Sequence, residues 1–343
     1  DGIITPSITV MSSIEGLAIM HPSIPVIPIV LLIIAALFFI QQFGTSFIGK
    51  SFGPIMFFWF LMLGCLGAFS LVDYLPVLKA FNPYYVYLFL SEYPGGFLLL
   101  GAVFLCTTGA EALYADLGHC GLKNIRISWI FVKITLILNY LGQGAWILKN
   151  ASSIKPGINP FYSIIPQWFL PIGIVMAAIA AIIASQALIS GSYTLISEAV
   201  SLNFWPKNRI KYPSHSKGQV YIPIINWMLF VSCCAVILLF QDSSNMEAAY
   251  GLSITITMLM TTILVAYYLK SKRVPVYFIF IFIFTYSVIE GSFLIANMHK
   301  FSRGGWFTIM VGTILSLLMV VMYQGRKVRN RYISFYKVKP YLP

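Results

Sequence analysis

Long uninterrupted apolar runs are the feature of this 343-residue chain that most constrains its fold. A helix needs about 20 apolar residues to cross the hydrocarbon core of a bilayer. Ten stretches meet or approach that length, at roughly 3–20, 26–44, 53–72, 94–115, 127–148, 166–198, 219–240, 248–269, 274–297 and 305–323. Backbone groups in hydrocarbon must be satisfied within the segment, so such runs fold as helices. The chain is 59% hydrophobic and only 9% charged, whereas a soluble domain carries about 25% charged residues. The expected fold class is an all-α polytopic membrane protein with about ten transmembrane helices. The sixth stretch is too long for one simple span and is expected to continue as a helix along or beyond the membrane surface.

The net charge of +12 does not point to nucleic acid, because the basic residues sit in short loops between apolar runs. With the first residues cytoplasmic, the inner loops hold 16 Lys and Arg and the outer loops five, with Lys133 inside a span. That bias follows the positive-inside rule and supports both the span count and the orientation, since one missed span would scramble the alternation. Tyr84, Tyr85, Tyr87, Trp168, Trp205 and Trp306 lie near span ends and read as interface anchors. Residues 1–323 form the expected transmembrane domain, and the basic stretch 324–343 begins a cytoplasmic C-terminal region. The chain starts at Asp1 rather than methionine and enters an apolar segment almost at once. It reads as a piece of a longer protein with further membrane segments upstream.

Five cysteines without CxxC spacing argue against a disulfide framework or a zinc site. No nucleotide-binding loop, HExxH or GxSxG motif occurs, so neither an enzyme nor a bound cofactor is expected.

Carboxylates inside the membrane are costly and mark candidate sites. Asp1, Thr5 and Thr9 are spaced i, i+4, i+8 and fall on one helical face. They form an oxygen-lined stripe suited to a hard monovalent cation; the plainer reading is a helix start capped by Asp1, with Pro6 in its first turns. Thr108 and Glu111 share a face at i, i+3, with Gly109 beside them able to let the helix unwind. Glu111 could ligate a cation directly or carry a proton, or it could be a surface carboxylate past a helix end. Asp116 and His119, nearer the basic loop, fit a helix-end network. Tyr250 either faces the site or bonds within its own span. Asn139, Tyr140, Gly142, Gln143 and Gly144 form a polar patch whose glycines suggest close helix packing. Glu290 is an isolated carboxylate in an apolar stretch.

These motifs together resemble the Kup/HAK/KT potassium uptake family. Asp1-Gly2-Ile3-Ile4-Thr5-Pro6-Ser7-Ile8 resembles its third membrane helix, and Gly109-Ala110-Glu111-Ala112-Leu113-Tyr114-Ala115-Asp116 its sixth, where this run is a hallmark. Leu138 to Ala145 resembles the seventh, Ser185 to Gly191 the eighth, and Ala248-Ala249-Tyr250-Gly251 the tenth. The resemblance implies a LeuT-type fold of the APC superfamily, with two inverted five-helix repeats and two extra helices. It is incomplete here, because the chain corresponds to helices three to twelve, without the first two or the large cytoplasmic C-terminal domain. The implied activity is potassium uptake by proton-coupled symport, with K+ and H+ as the transported ions, in the bacterial inner membrane. Asp1, Thr5, Thr9, Thr108, Glu111 and Tyr250 would face the cation. Glu111, Glu15 and Asp116 would serve proton coupling. A homodimer through the cytoplasmic domain is a further expectation. Other readings are an amino-acid or other cation permease of the same fold, and a receptor or scaffold that binds potassium without moving it.

Overall fold

The computed structural model describes residues 2–21, 23–43, 46–106, 122–154, 157–212 and 220–332. These residues form α1 (Ile4–Met20), α2 (Val26–Ile40), α3 (Ser46–Asp73), α4 (Pro83–Glu92), α5 (Gly96–Leu105) and α6 (Leu122–Lys149). They continue as α7 (Pro160–Ser163), α8 (Leu170–Ser201), α9 (Pro223–Phe240), α10 (Ser243–Ser271), α11 (Val276–Met298) and α12 (Gly305–Arg331). Extended pairing among the described residues is a bridge between Lys211 and Tyr221. The protein is thus an all-α polytopic membrane protein, with eight described helices long and apolar enough to cross a bilayer.

Two of the ten expected spans are shorter than a full crossing. α1 has 17 residues and α5 has 10, and the rest of the fourth stretch runs into residues 107–121, outside the described ones. The sixth stretch is one unbroken helix of 32 residues. At 1.5 Å per residue it is about 48 Å long, well beyond an approximately 30 Å hydrocarbon core, as its length predicted.

Three local features differ from the sequence reading. A ten-residue helix, α4, occupies the connection after α3; Asn82 caps it by accepting from the Tyr84 amide, and Pro83 fits its first turn. α12 does not stop near residue 323 but runs to Arg331. Its last turns include Gln324, Arg326, Lys327, Arg329 and Arg331, good helix formers that outweigh Gly325, and the terminal cations complement the helix dipole. Trp205 is not an interface anchor: it is 5% exposed and belongs to the core. Its carbonyl accepts from Arg326 at 2.9 Å, and the same guanidinium meets Asn203, so the turn after α8 is stapled to α12. The other proposed anchors, such as Tyr87 and Trp168, are exposed.

The main core gathers α1, α2, α8, α9 and the start of α10 around Val10, Met11, Ile34, Ile189, Val236 and Met246. Polar links inside it are satisfied: Tyr193 donates to Asn226 Oδ1 at 2.5 Å, and Asn226 donates to the Phe38 carbonyl at 3.2 Å. α1 therefore sits in the middle of a packed scaffold, which fixes the face carrying its hydroxyls. α3 and α6 form a second tightly packed pair. A Cβ on Gly142 would stand 2.5 Å from the Gly67 Cα, and one on Gly67 would stand 2.5 Å from the Asn139 Cα. The glycine expected to serve close packing in the fifth span does so here. Gly144 is less constrained, with only the Val77 side chain at 3.3 Å from such a Cβ. Cys65, Cys106, Cys233 and Cys234 are free thiols.

Candidate cation site

α1, α5 and α10 border an open cavity of about 390 Å³ lined by Ile8, Thr9, Ser12, Leu105, Ser243, Ser244, Glu247 and Tyr250. Each helix brings its part for a local reason. On α1, Ile8, Thr9 and Ser12 lie on adjacent positions of one face at helical spacing. α10 begins at Ser243, and its first two turns bring Glu247 and then Tyr250 onto the same side. Leu105 is the last residue of α5, so the cavity touches the point where that helix ends.

The hydroxyls around this cavity are pre-oriented. Thr9 Oγ1 donates to the Thr5 carbonyl at 2.7 Å, and Ser12 Oγ donates to the Thr9 carbonyl at 3.2 Å. Ser243 Oγ donates to Glu15 Oε2 at 2.6 Å. Three lining hydroxyls thus commit their protons to carbonyl or carboxylate oxygens. What they leave for a guest is lone pairs. An array of lone pairs with a carboxylate nearby is a cation's environment and a poor one for an anion. Ser185 of α8 joins from behind, 3.3 Å from Thr9 Oγ1, with its own hydroxyl bonded to the Ala181 carbonyl at 2.7 Å.

Two carboxylates flank the cavity and both are engaged. Glu247 pairs with Lys300 at 2.5 Å, and these side chains are 34% and 27% exposed. Glu15 accepts from the Ser243 amide at 2.8 Å as well as from its hydroxyl. A carboxylate on the first amide of a helix satisfies an orphan donor and complements the positive end of the dipole. Glu15→Ala is accordingly expected to cost about 1–2 kcal/mol of stability. A thermal unfolding scan of the purified protein checks this; an unchanged midpoint would show that the bond carries no weight. At the C-terminal end of α5, Tyr140 of α6 donates to the Cys106 carbonyl at 2.9 Å.

Of the residues expected to face a cation, the structure brings Thr9 and Tyr250 to one cavity. Thr5 is buried one turn away and touches it through its carbonyl bond to Thr9. Asp1, Thr108, Glu111 and Asp116 lie outside the described residues. Ser12, Ser185, Glu247 and Lys300 were not proposed from sequence. Glu247 carried a usable signal, a carboxylate i−3 from Tyr250; the others are recognisable only once the helices are packed. A larger cavity of about 830 Å³ runs between the start of α1 and α12. Apart from hydroxyls such as Ser192, Ser232 and Thr257 its lining is apolar, which suits a cation less. Among the described residues, no three His, Cys, Asp or Glu side chains converge as a metal site.

Residues 1–327 match the family model of the K+ potassium transporter integral membrane domain. The chain is 56% identical over its whole length to a probable potassium transport system protein Kup from Cytophaga hutchinsonii, covering 53% of that protein. It is 53% identical to the protein of the same name from Flavobacterium psychrophilum, over 99% of the chain and 53% of the relative. The corresponding Clostridium perfringens protein is 48% identical over 99% of the chain and 54% of its own length. The chain therefore spans about half the length of the curated relatives it matches.

Proposed function

The chain belongs to the K+ potassium transporter integral membrane domain family, and from that premise we propose that the whole protein carries potassium into the cell by proton-coupled symport. The observation that carries this reading is the cavity at the end of α5, where Thr9, Ser12 and Ser243 present lone pairs beside Tyr250 and Glu247. In this reading Asp1, Thr5, Thr9, Thr108, Glu111 and Tyr250 hold the dehydrated cation. Oxygen ligands from hydroxyls, carbonyls and carboxylates replace its water. Glu111 also carries the proton, with Asp116 and Glu15 along its path. For Glu15 that role requires breaking its two bonds to Ser243.

The fold proposed is LeuT-type, with helices three to twelve of the family in this chain. α1, α2, α8 and α9 then form the scaffold, and the end of α5 at Leu105 is where a broken helix of the kind such transporters use to bind ions would fall. The transport domain occupies 1–323, and 324–343 leads into a cytoplasmic region through which two copies pair. A permease for an amino acid would need donors converging on a carboxylate; the oxygen-rich lining here favours a cation.

The direct test is potassium uptake by the full-length protein in cells lacking other potassium uptake systems, with and without a protonophore. Uptake is expected to collapse with the proton gradient. Persistent uptake would overturn the coupling, and absence of uptake would favour a receptor that binds potassium without moving it.

A further inference from the structure

Lys300 brings a positive charge to the rim of the cation cavity. Its Nζ lies 2.5 Å from Glu247 Oε1, and Glu247 lines that cavity. The lysine comes from a different part of the fold. It stands between the end of α11 and the short turn Phe301–Arg303, 53 residues from its partner. The backbone there is held on both sides. The Lys300 amide donates to the Asn297 carbonyl at 3.0 Å, and its own carbonyl accepts from the Arg303 amide at 3.0 Å. Asn297 is buried, and its Nδ2 donates to Thr255 of α10 at 3.0 Å. Beyond the turn, Thr308 of α12 donates to the Ala249 carbonyl of α10 at 2.7 Å. The base of the lysine is thus fastened to the helix that carries Glu247.

A lysine ammonium is a compact point cation on a flexible stem. In unit charge and approximate size it is a chemical stand-in for a potassium ion. The carboxylate it meets stands beside the lone pairs of Thr9, Ser12 and Ser243. A free cation in the cavity and the tethered ammonium therefore compete for the same oxygens. The pair is weak enough to exchange, because both side chains are about a third exposed and water screens such a pair. A fully buried pair would lock the carboxylate instead. The plainer alternative is an ion pair that only staples the turn after α11 onto α10. Asn297 and Thr308 already make that attachment without charge.

We propose that Lys300 is a tethered competitor that sets the affinity of the cation site. Before a cation arrives, its ammonium neutralises Glu247. An arriving potassium ion takes the carboxylate, and the ammonium swings to water on its stem. The intrinsic affinity is then reduced by the fraction of molecules in which Glu247 is free. Exposed pairs have pairing constants of about 1–5, so removing the ammonium strengthens apparent affinity about two- to sixfold. Lys300 acts through Glu247 and is a positioning residue rather than a ligand. Potassium as the guest of this cavity rests on the transport reading.

Potassium uptake kinetics of the full-length protein test it. Lys300→Met keeps most of the stem and removes the charge; KM is expected to fall about two- to sixfold, with the change carried by KM rather than kcat. Lys300→Arg, whose fork grips a carboxylate at two points, is expected to raise KM. In a Glu247→Gln background neither substitution is expected to move it. An unchanged KM, a fall in kcat alone, or the same shift in the Glu247→Gln background would overturn the role. The arginine variant keeps the test decisive if Lys300→Met folds poorly. Thermal stabilisation of the purified full-length protein by added potassium reads the same site without transport. A stabilisation midpoint that falls in Lys300→Met, with no uptake by the unmodified protein, sinks transport alone. Proton-driven uptake with an unshifted midpoint sinks Lys300 alone.

Discussion

Replacing Glu111 by glutamine is expected to lower proton-driven potassium uptake by roughly 100-fold or more, with the protein still folded and in the membrane. Glutamine keeps the size and one acceptor of glutamate but can neither ionise nor exchange a proton. Removing one partner from a desolvated charge pair typically costs about 3–5 kcal/mol, and about 1.4 kcal/mol is tenfold in an equilibrium. Glu111 follows six residues after Leu105, which ends α5 at the cavity wall. Glu111 itself lies outside the described residues. Rubidium or potassium influx measured against an imposed proton gradient reads the effect, with surface abundance as the control. Unchanged gradient-driven influx would remove Glu111 from both proposed roles.

Gly142→Leu is expected to have the larger effect on the folded state, at about 3 kcal/mol or more of destabilisation. A Cβ at Gly142 meets backbone, the Gly67 Cα at 2.5 Å, rather than the movable end of a side chain. Backbone cannot rotate away, so α3 and α6 must separate along their length. Without a hydrophobic driving force between helices in lipid, such close approach is the main source of their attraction. Gly144→Ala on the same helix is the control, because the Val77 side chain at 3.3 Å can shift. Thermal stability and monodispersity in detergent distinguish them. Equal melting of the two variants would show that the contact is not close-packed.

The helices were legible because a bilayer imposes one simple requirement, length in apolar residues, which is written locally in the chain. Ends were less legible. α12 runs past its apolar stretch to Arg331 because its basic tail is itself helix-forming, and Asn82 and Pro83 build α4 inside what hydropathy reads as a loop. Thr9 and Tyr250 were singled out by motif and spacing. Their supporting residues were not, since Ser185 meets Thr9 across 176 positions and Lys300 meets Glu247 across 53. No local pattern encodes those distances. Glu290 could be picked out from sequence as an isolated carboxylate, but its partner, 28 residues earlier on an antiparallel neighbour, emerges only from packing. Trp205 misled for a similar reason. A tryptophan at a span end looks the same whether it faces headgroups or a core.

The bond from Tyr140 to the Cys106 carbonyl gives the close contact of α3 and α6 a mechanical meaning. With Gly67 and Gly142 in backbone contact, the two long helices act as a single stiff lever with no room to slide internally. Tyr140 ties that lever to the terminus of α5, at the lip of the cation cavity. Among the described residues that phenol is thus a direct link between the close-packed pair and the helix whose last residue, Leu105, lines the cation cavity.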